Sequence, residues 1–249
     1  MQKTIDNINI NYIDYGEGSP VVLLHGWGQN IEMMDFIGKK LLDYRKIILD
    51  FPGFGKSDEP YRSFNVDDYT DILRKLLIEL NVDNPIIIGH SFGGRVAIKY
   101  ASKYDVEKLV LFGTPCIRKE QKPTIKSKLY KLTKNTPIGN IVRKHVGSPD
   151  YNNATPIMRE TLVKVVNEDL LEDAKRIIAP TLLIWGVDDE AVPLDMAKEL
   201  EPQMINAALI KLPGTHYAYL ENLDRVVIIL NTFLEDKKDK KLIKNRPNN

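Results

Sequence analysis

An α/β fold on a mainly parallel central sheet flanked by helices is what this sequence predicts, and three observations carry the prediction. Short, unbroken apolar runs ending in glycine recur, as in PVVLLHG (Pro20–Gly26) and APTLLIWG (Ala179–Gly186); strands buried on both faces have this form. Between such runs lie stretches whose apolar residues fall at helical spacing. The two patterns alternate, strand then helix, which is the mark of βαβ units.

In chain order, Ile8–Tyr15 alternates like a half-exposed strand, with Ile8, Ile10, Tyr12 and Asp14 on one face. Pro20–Gly26 and Arg45–Gly53 are buried-strand runs, and Met33–Tyr44 between them places Met33, Phe36, Ile37, Leu41 and Tyr44 at helical spacing. Asn65–Leu80 is a capped helix: Asn65 suits the cap, Asp67 and Asp68 suit the positive N-terminus, and Ile72, Leu76, Leu77 and Leu80 make an apolar stripe. A strand at Pro85–Gly89, a helix at Phe92–Tyr104 and a strand at Leu109–Phe112 follow. From Cys116 to about Asp173 no buried strand is evident, only helical stretches, lysines and the prolines 123, 137, 149 and 156. The rhythm resumes with Ala179–Gly186, a helix near Leu194–Leu200, a strand at Ala208–Leu212 and an amphipathic helix around Leu220–Leu234. The last residues, DKKDKKLIKNRPNN, have the composition of a solvated tail. The organisation expected is a core of residues 1–115 and 174–249 with an inserted helical segment, 116–173.

Bulk composition narrows the function. The 249 residues are 43% hydrophobic and 28% charged, which suits an ordered globular chain and argues against extensive disorder. A net charge of +1 gives no overall reason to expect a nucleic acid or an anionic membrane as partner. No run approaches the ~18 apolar residues of a membrane span, and the opening MQKTIDNINI lacks the apolar stretch of a signal peptide. Cys116 is the only cysteine, so no intrachain disulfide can form. A cytoplasmic location is the expectation.

The chemistry concentrates where strands end. Gly89-His90-Ser91-Phe92-Gly93 fits G-x-S-x-G directly after a strand and at the opening of a helix, the context in which that pattern exposes a nucleophilic hydroxyl on a strained turn. A serine nucleophile needs a base, and the base needs an orienting acid. Of the four histidines, His216 lies in the loop between the last strand and the last helix; His25 precedes a backbone site, His90 adjoins the serine and is expected to point elsewhere, and His145 lies in the insertion. The acid comes from LLIWGVDDEAVP, which offers Asp188 and Asp189. In LLHGWGQ the glycines let backbone approach a substrate, and the N–H groups of Trp27 and Phe92 can form an oxyanion hole.

These elements, in this order and together with DFPGFGKSDEP (Asp50–Pro60), resemble the α/β-hydrolase superfamily over everything except Cys116–Asp173. The resemblance implies a small helical cap inserted after the sixth strand. It implies Ser91 as nucleophile, His216 as base and Asp189 as its partner, since the acid in similar sequences stands four residues before a proline, as Asp189 stands before Pro193. Trp27 and Phe92 become the oxyanion donors. Thr215 departs from the glycine that many relatives carry before the histidine. The implied activity is hydrolysis of carboxylic esters or thioesters of small or medium acyl compounds, with no cofactor or metal. A lyase of the menaquinone-pathway synthase type, whose relatives carry a continuation similar to Gly93-Gly94-Arg95, and a small-ligand receptor with a vestigial triad are the alternatives. Basic residues of the insertion (Lys119, Lys122, Lys126, Lys128, Lys131, Lys134 and Arg143), against the acid Glu120, read first as a solvated helix face, with a field that attracts acidic substrates as the alternative.

Overall fold

The computed structural model describes residues 1–118 and 149–235. The basic run from Lys119 to Arg143, His145 and the tail from residue 236 lie outside the described residues. Among those described, one eight-stranded sheet organises the chain, in the order β1-β2-β4-β3-β5-β6-β7-β8. The strands are β1 (Gln2–Ile5), β2 (Ile8–Tyr15), β3 (Ser19–Leu24), β4 (Tyr44–Leu49), β5 (Ile86–His90), β6 (Lys108–Phe112), β7 (Thr181–Gly186) and β8 (Ala207–Leu212). β1 and β2 pair antiparallel, as do β2 and β4; the six strands from β4 to β8 run parallel.

Alternation along β3 divides the core. Val22 and Leu24 face a cluster under α2 (Val66–Glu79) and α3 (Phe92–Lys103), while Val21 and Leu23 face the opposite layer with α1 (Ile31–Gly38) and the C-terminal helix. Both faces are dry, which is why these strands read as continuous apolar runs. The chain leaves β3 for β4 on one side and returns to β5 on the other. The loops after β3 and β5 therefore flank a crevice at the sheet's C-terminal edge, where open α/β sheets bind ligands.

α2 begins with a reciprocal capping box: Asn65 accepts from the Asp68 N–H at 2.9 Å, and Asp68 accepts from the Asn65 N–H at 2.9 Å. Such a cap contributes about 0.5–2 kcal/mol. The first helix departs from the sequence expectation. It opens at Ile31, capped by Asn30, and stops at Gly38, so Tyr44 belongs to β4. Its inner face is Ile31, Met34 and Ile37, whereas Phe36 is 55% exposed. β1 was not foreseen; Asp6 and Asn7, both at positive φ, turn it onto β2, a conformation these side chains tolerate.

Between β6 and β7 the described chain forms α4 (Pro149–Asn153), α5 (Pro156–Asn167) and α6 (Leu171–Lys175). α7 (Leu194–Leu200) precedes β8, and the expected last helix is divided at Asn222 into α8 (Ala218–Glu221) and α9 (Leu223–Glu235). Among the described residues, no helix is long and apolar enough to cross a membrane.

Candidate active site

β5 ends in a backbone that few L-residues adopt: Ser91 has φ 51° and ψ −112°. Such a conformation costs about 1–3 kcal/mol and persists only where its surroundings enforce it. The Ser91 N–H donates to Phe112 O of β6 at 2.9 Å, and its carbonyl accepts from the Arg95 N–H at 3.2 Å, so sheet and helix both hold the turn. The flanking glycines are steric necessities. A Cβ on Gly89 would sit 2.7 Å from the Gly94 Cα, and one on Gly93 would sit 2.4 Å from the Leu24 carbonyl oxygen. The Phe92 N–H belongs to the first turn of α3, among the donors a helix start leaves without an intrahelical acceptor.

His216 Nδ1 lies 2.8 Å from Asp189 Oδ2. The side chain of Asp189 is fully buried, that of His216 16% exposed. Because the carboxylate only accepts, the neutral form of the imidazole carries its proton on Nδ1 and leaves Nε2 as the acceptor. The other Asp189 oxygen, Oδ1, accepts from the Val192 N–H at 2.8 Å, and Trp185 Nε1 donates to Val192 O at 2.8 Å, which fixes the carboxylate plane. Asp188 is exposed, and its N–H donates to Gly214 O, tying the acid loop to the histidine loop. Of the adjacent pair, only Asp189 meets His216.

Two glycines that the sequence did not single out make room for this pair. Gly113, directly after β6, has φ +46°, and a Cβ there would lie 3.0 Å from His216 Nδ1 and 3.1 Å from Asp189 Oδ2. A Cβ on Gly186 would lie 2.2 Å from the Thr215 carbonyl oxygen. The signal was a glycine closing each of two neighbouring strands, LVLFG and LLIWG. Thr215 is held in turn by Glu221, which accepts from its N–H at 2.8 Å and its hydroxyl at 2.6 Å.

The loop after β3 is fixed by His25. Its Nδ1–H donates to Gly26 O at 2.7 Å, and its Nε2 accepts from the Phe51 N–H at 3.0 Å. Burial pushes the ring's pKa down to about 4, so it is neutral, as these roles require. Trp27 packs edge-on against Phe54 and Phe92, with centroids 4.8 and 5.4 Å away. His90 turns its ring nitrogens to the loops on either side rather than to the serine. Its Nε2 is 3.1 Å from His216 O and its Nδ1 is 3.3 Å from Gln29 Oε1, while Gln29 Oε1 accepts from the Gly26 N–H. The neutral ring carries one N–H and so bonds one of these oxygens while packing between the loops after β3 and β8. Burial, then neighbouring His216, lowers its pKa to about 3.

Ser91, His216, Trp27 and Phe92 line one cavity of about 1020 Å³, with Gln29, His90 and Arg95 near them and Leu162, Val165 and Val166 of α5 among its apolar walls. Cys116 is buried, and desolvation raises its thiol pKa to about 12, which leaves it a packing residue. Among the described residues, no group of acidic, histidine or cysteine side chains is arranged to hold a metal.

Residues 19–129 match the family described as alpha/beta hydrolase fold. The chain is 25% identical to the AB hydrolase superfamily protein YisY of Bacillus subtilis, over 93% of this chain and 97% of that protein. It is 28% identical to the non-heme chloroperoxidase CPO-A1 of Kitasatospora aureofaciens, over 84% and 88%. An esterase structure from Exiguobacterium antarcticum superposes with a TM-score of 0.76 at 23% identity, covering 94% of this chain and 98% of the esterase.

Proposed function

This chain belongs to the α/β-hydrolase fold superfamily, and from that premise we propose that it is a serine hydrolase cleaving carboxylic esters or thioesters of small or medium acyl compounds. Ser91 is the nucleophile, His216 the general base and Asp189 the residue that orients it. The Ser91 hydroxyl attacks the acyl carbonyl while its proton passes to His216 Nε2. The tetrahedral oxyanion accepts from the Trp27 and Phe92 N–H groups. Collapse expels the alcohol or thiol, which takes the proton from His216 and leaves an acyl-enzyme. Water then repeats the sequence in reverse roles, releasing the acid and restoring the serine. Asp189 stabilises the imidazolium formed in each half-reaction.

One observation carries this reading. A serine held at φ 51° shares a cavity wall with a histidine whose Nδ1 is bonded to a fully buried carboxylate. Neither a glycine-rich turn nor a surface histidine has any need of that combination. The segment between β6 and β7 serves as the cap, since α5 already supplies part of the cavity wall. The test is release of 4-nitrophenol from its acetate and butyrate esters by the intact chain and by Ser91→Ala. Loss of a triad nucleophile costs on the order of 10⁶ in kcat. An alanine variant with near-normal turnover would remove the assignment.

A further inference from the structure

Arg95 is buried to 4% exposure one helical turn beyond Ser91, and it lines the same cavity. A cation withdrawn so far from water is ordinarily matched by a carboxylate. Here Nη1 donates to Pro115 O at 2.6 Å and Nη2 donates to Glu168 O, while among the described residues Nε meets no hydrogen-bond partner. The nearest carboxylates among the described residues are committed elsewhere. Glu168 meets Lys99 at 3.0 Å and the Val66 N–H at 3.2 Å, and Asp169 accepts from the backbone of Arg118 and Leu171.

We propose that Arg95 is the anion-recognising residue of this cavity and that the substrate carries a carboxylate in addition to the group that is cleaved. This rests on the reading of the Ser91 cavity as the reaction site. Among the described residues that line the cavity, two are arginines, Arg95 and Arg118, and none is aspartate or glutamate. The Cα–Cβ bond of a helical residue leans towards the helix N-terminus, so the Arg95 side chain starts back towards the Ser91 elbow. Burial lowers the guanidinium's pKa, as expected of a cation short of countercharge. One of the two carbonyls it holds, that of Pro115, stands just before the inserted segment and the other, that of Glu168, lies near the segment's end, so Arg95 also staples that segment to α3. That role uses two donors of a five-donor group and needs no net charge. The staple therefore leaves the unpaired Nε–H and the positive charge unexplained. A substrate carboxylate accounts for both, because it brings the missing countercharge and an acceptor together.

The experiment compares 4-nitrophenyl hemiesters of succinate through suberate with neutral straight-chain acyl esters of equal length, each corrected for spontaneous hydrolysis. The intact chain is expected to favour at least one hemiester by about ten- to a hundredfold in kcat/KM, the worth of a charge-assisted hydrogen bond. Arg95→Met is expected to abolish that preference, with any loss from the missing staple falling equally on hemiesters and neutral esters. Equal losses on both series would reduce Arg95 to a staple and overturn the proposal, as would an intact chain with no preference. Binding of the free diacids to Ser91→Ala keeps the test independent of turnover and of the folding of Arg95→Met. At least one diacid should bind tenfold or more tightly than its neutral diamide and weaken as salt rises. Equal affinity for diacids and diamides would overturn the anion site whether or not any ester is hydrolysed. Diacid binding without ester hydrolysis would uphold the anion site while overturning the hydrolase reading.

Discussion

Asp189→Asn replaces one oxygen of a fully buried carboxylate, and the surrounding hydrogen bonds dictate the outcome. Val192 presents an N–H to Oδ1 at 2.8 Å, so the asparagine keeps its carbonyl oxygen there and turns its NH₂ towards His216 Nδ1. Two donors cannot face each other at 2.8 Å. The imidazole must release the Nδ1 proton and carry it on Nε2, the atom that should receive the Ser91 proton. In a triad, enforcing the wrong tautomer costs about 10⁴ in kcat, equivalent to roughly 5 kcal/mol of transition-state stabilisation. Asp188 makes the internal control. It is exposed and acts through its backbone N–H, so Asp188→Asn should stay within about threefold of the parent, a surface-substitution effect. The assay is steady-state hydrolysis of 4-nitrophenyl acetate at pH 8 by both variants, with thermal melts to establish that each is folded. A folded Asp189→Asn chain retaining more than about a tenth of parent kcat would refute the tautomer reasoning. The reverse ranking of the two variants would move the acid to Asp188.

Two further outcomes follow from the packing around the site. Gly113→Ala places a methyl group 3.0 Å from His216 Nδ1 at a residue with φ +46°; the backbone strain alone is about 1–2 kcal/mol, or roughly 2–8 °C of Tm at this size, and kcat should fall about ten- to a hundredfold because each 1.4 kcal/mol lost is tenfold. An alanine variant with parental kcat would show that the His–Asp pair tolerates displacement. His25 and His90 are held neutral by burial, with pKa values lowered to about 4 and about 3. The unfolded chain therefore binds two more protons than the folded one once pH drops well below ~6.5, the ordinary histidine value. Their stabilisation is complete above that pH and is lost as pH falls towards the folded values, with a slope of about 2.7 kcal/mol per pH unit near pH 5. Urea titrations across pH 4.5–7.5 measure it; His90→Asn should halve the slope, and a flat profile would contradict the buried neutral state.

Much of this site was legible in the sequence because each group stands at a strand terminus with its own local signal. Gly89-His90-Ser91-Phe92-Gly93 needs only its own neighbours and the carbonyls of β3 to explain its glycines. The supporting residues were hidden because their roles come from chain far away. His25 meets Phe51, His90 meets His216, and Gly113 faces a pair drawn from the loops after β7 and β8. Arg95 stands out in the sequence only as the end of Gly93-Gly94-Arg95; its burial against the carbonyls of Pro115 and Glu168, distant in the chain, is visible only in the fold. α1 was misplaced for a different reason. Phe36 is apolar and at helical spacing, yet it faces outwards, and the Asn30 cap rather than the apolar stripe sets where the helix begins.

The central claim is a covalent intermediate on one serine, and trapping it is the most direct measurement. The intact chain is incubated with a fluorophosphonate, digested and mapped by mass spectrometry, alongside Ser91→Ala and His216→Ala. The account predicts one adduct, on the peptide carrying Ser91. It should be absent in Ser91→Ala and form at least about a thousandfold more slowly in His216→Ala, where the base is missing. An adduct on a different serine, or labelling of Ser91 at an unchanged rate without His216, would contradict it.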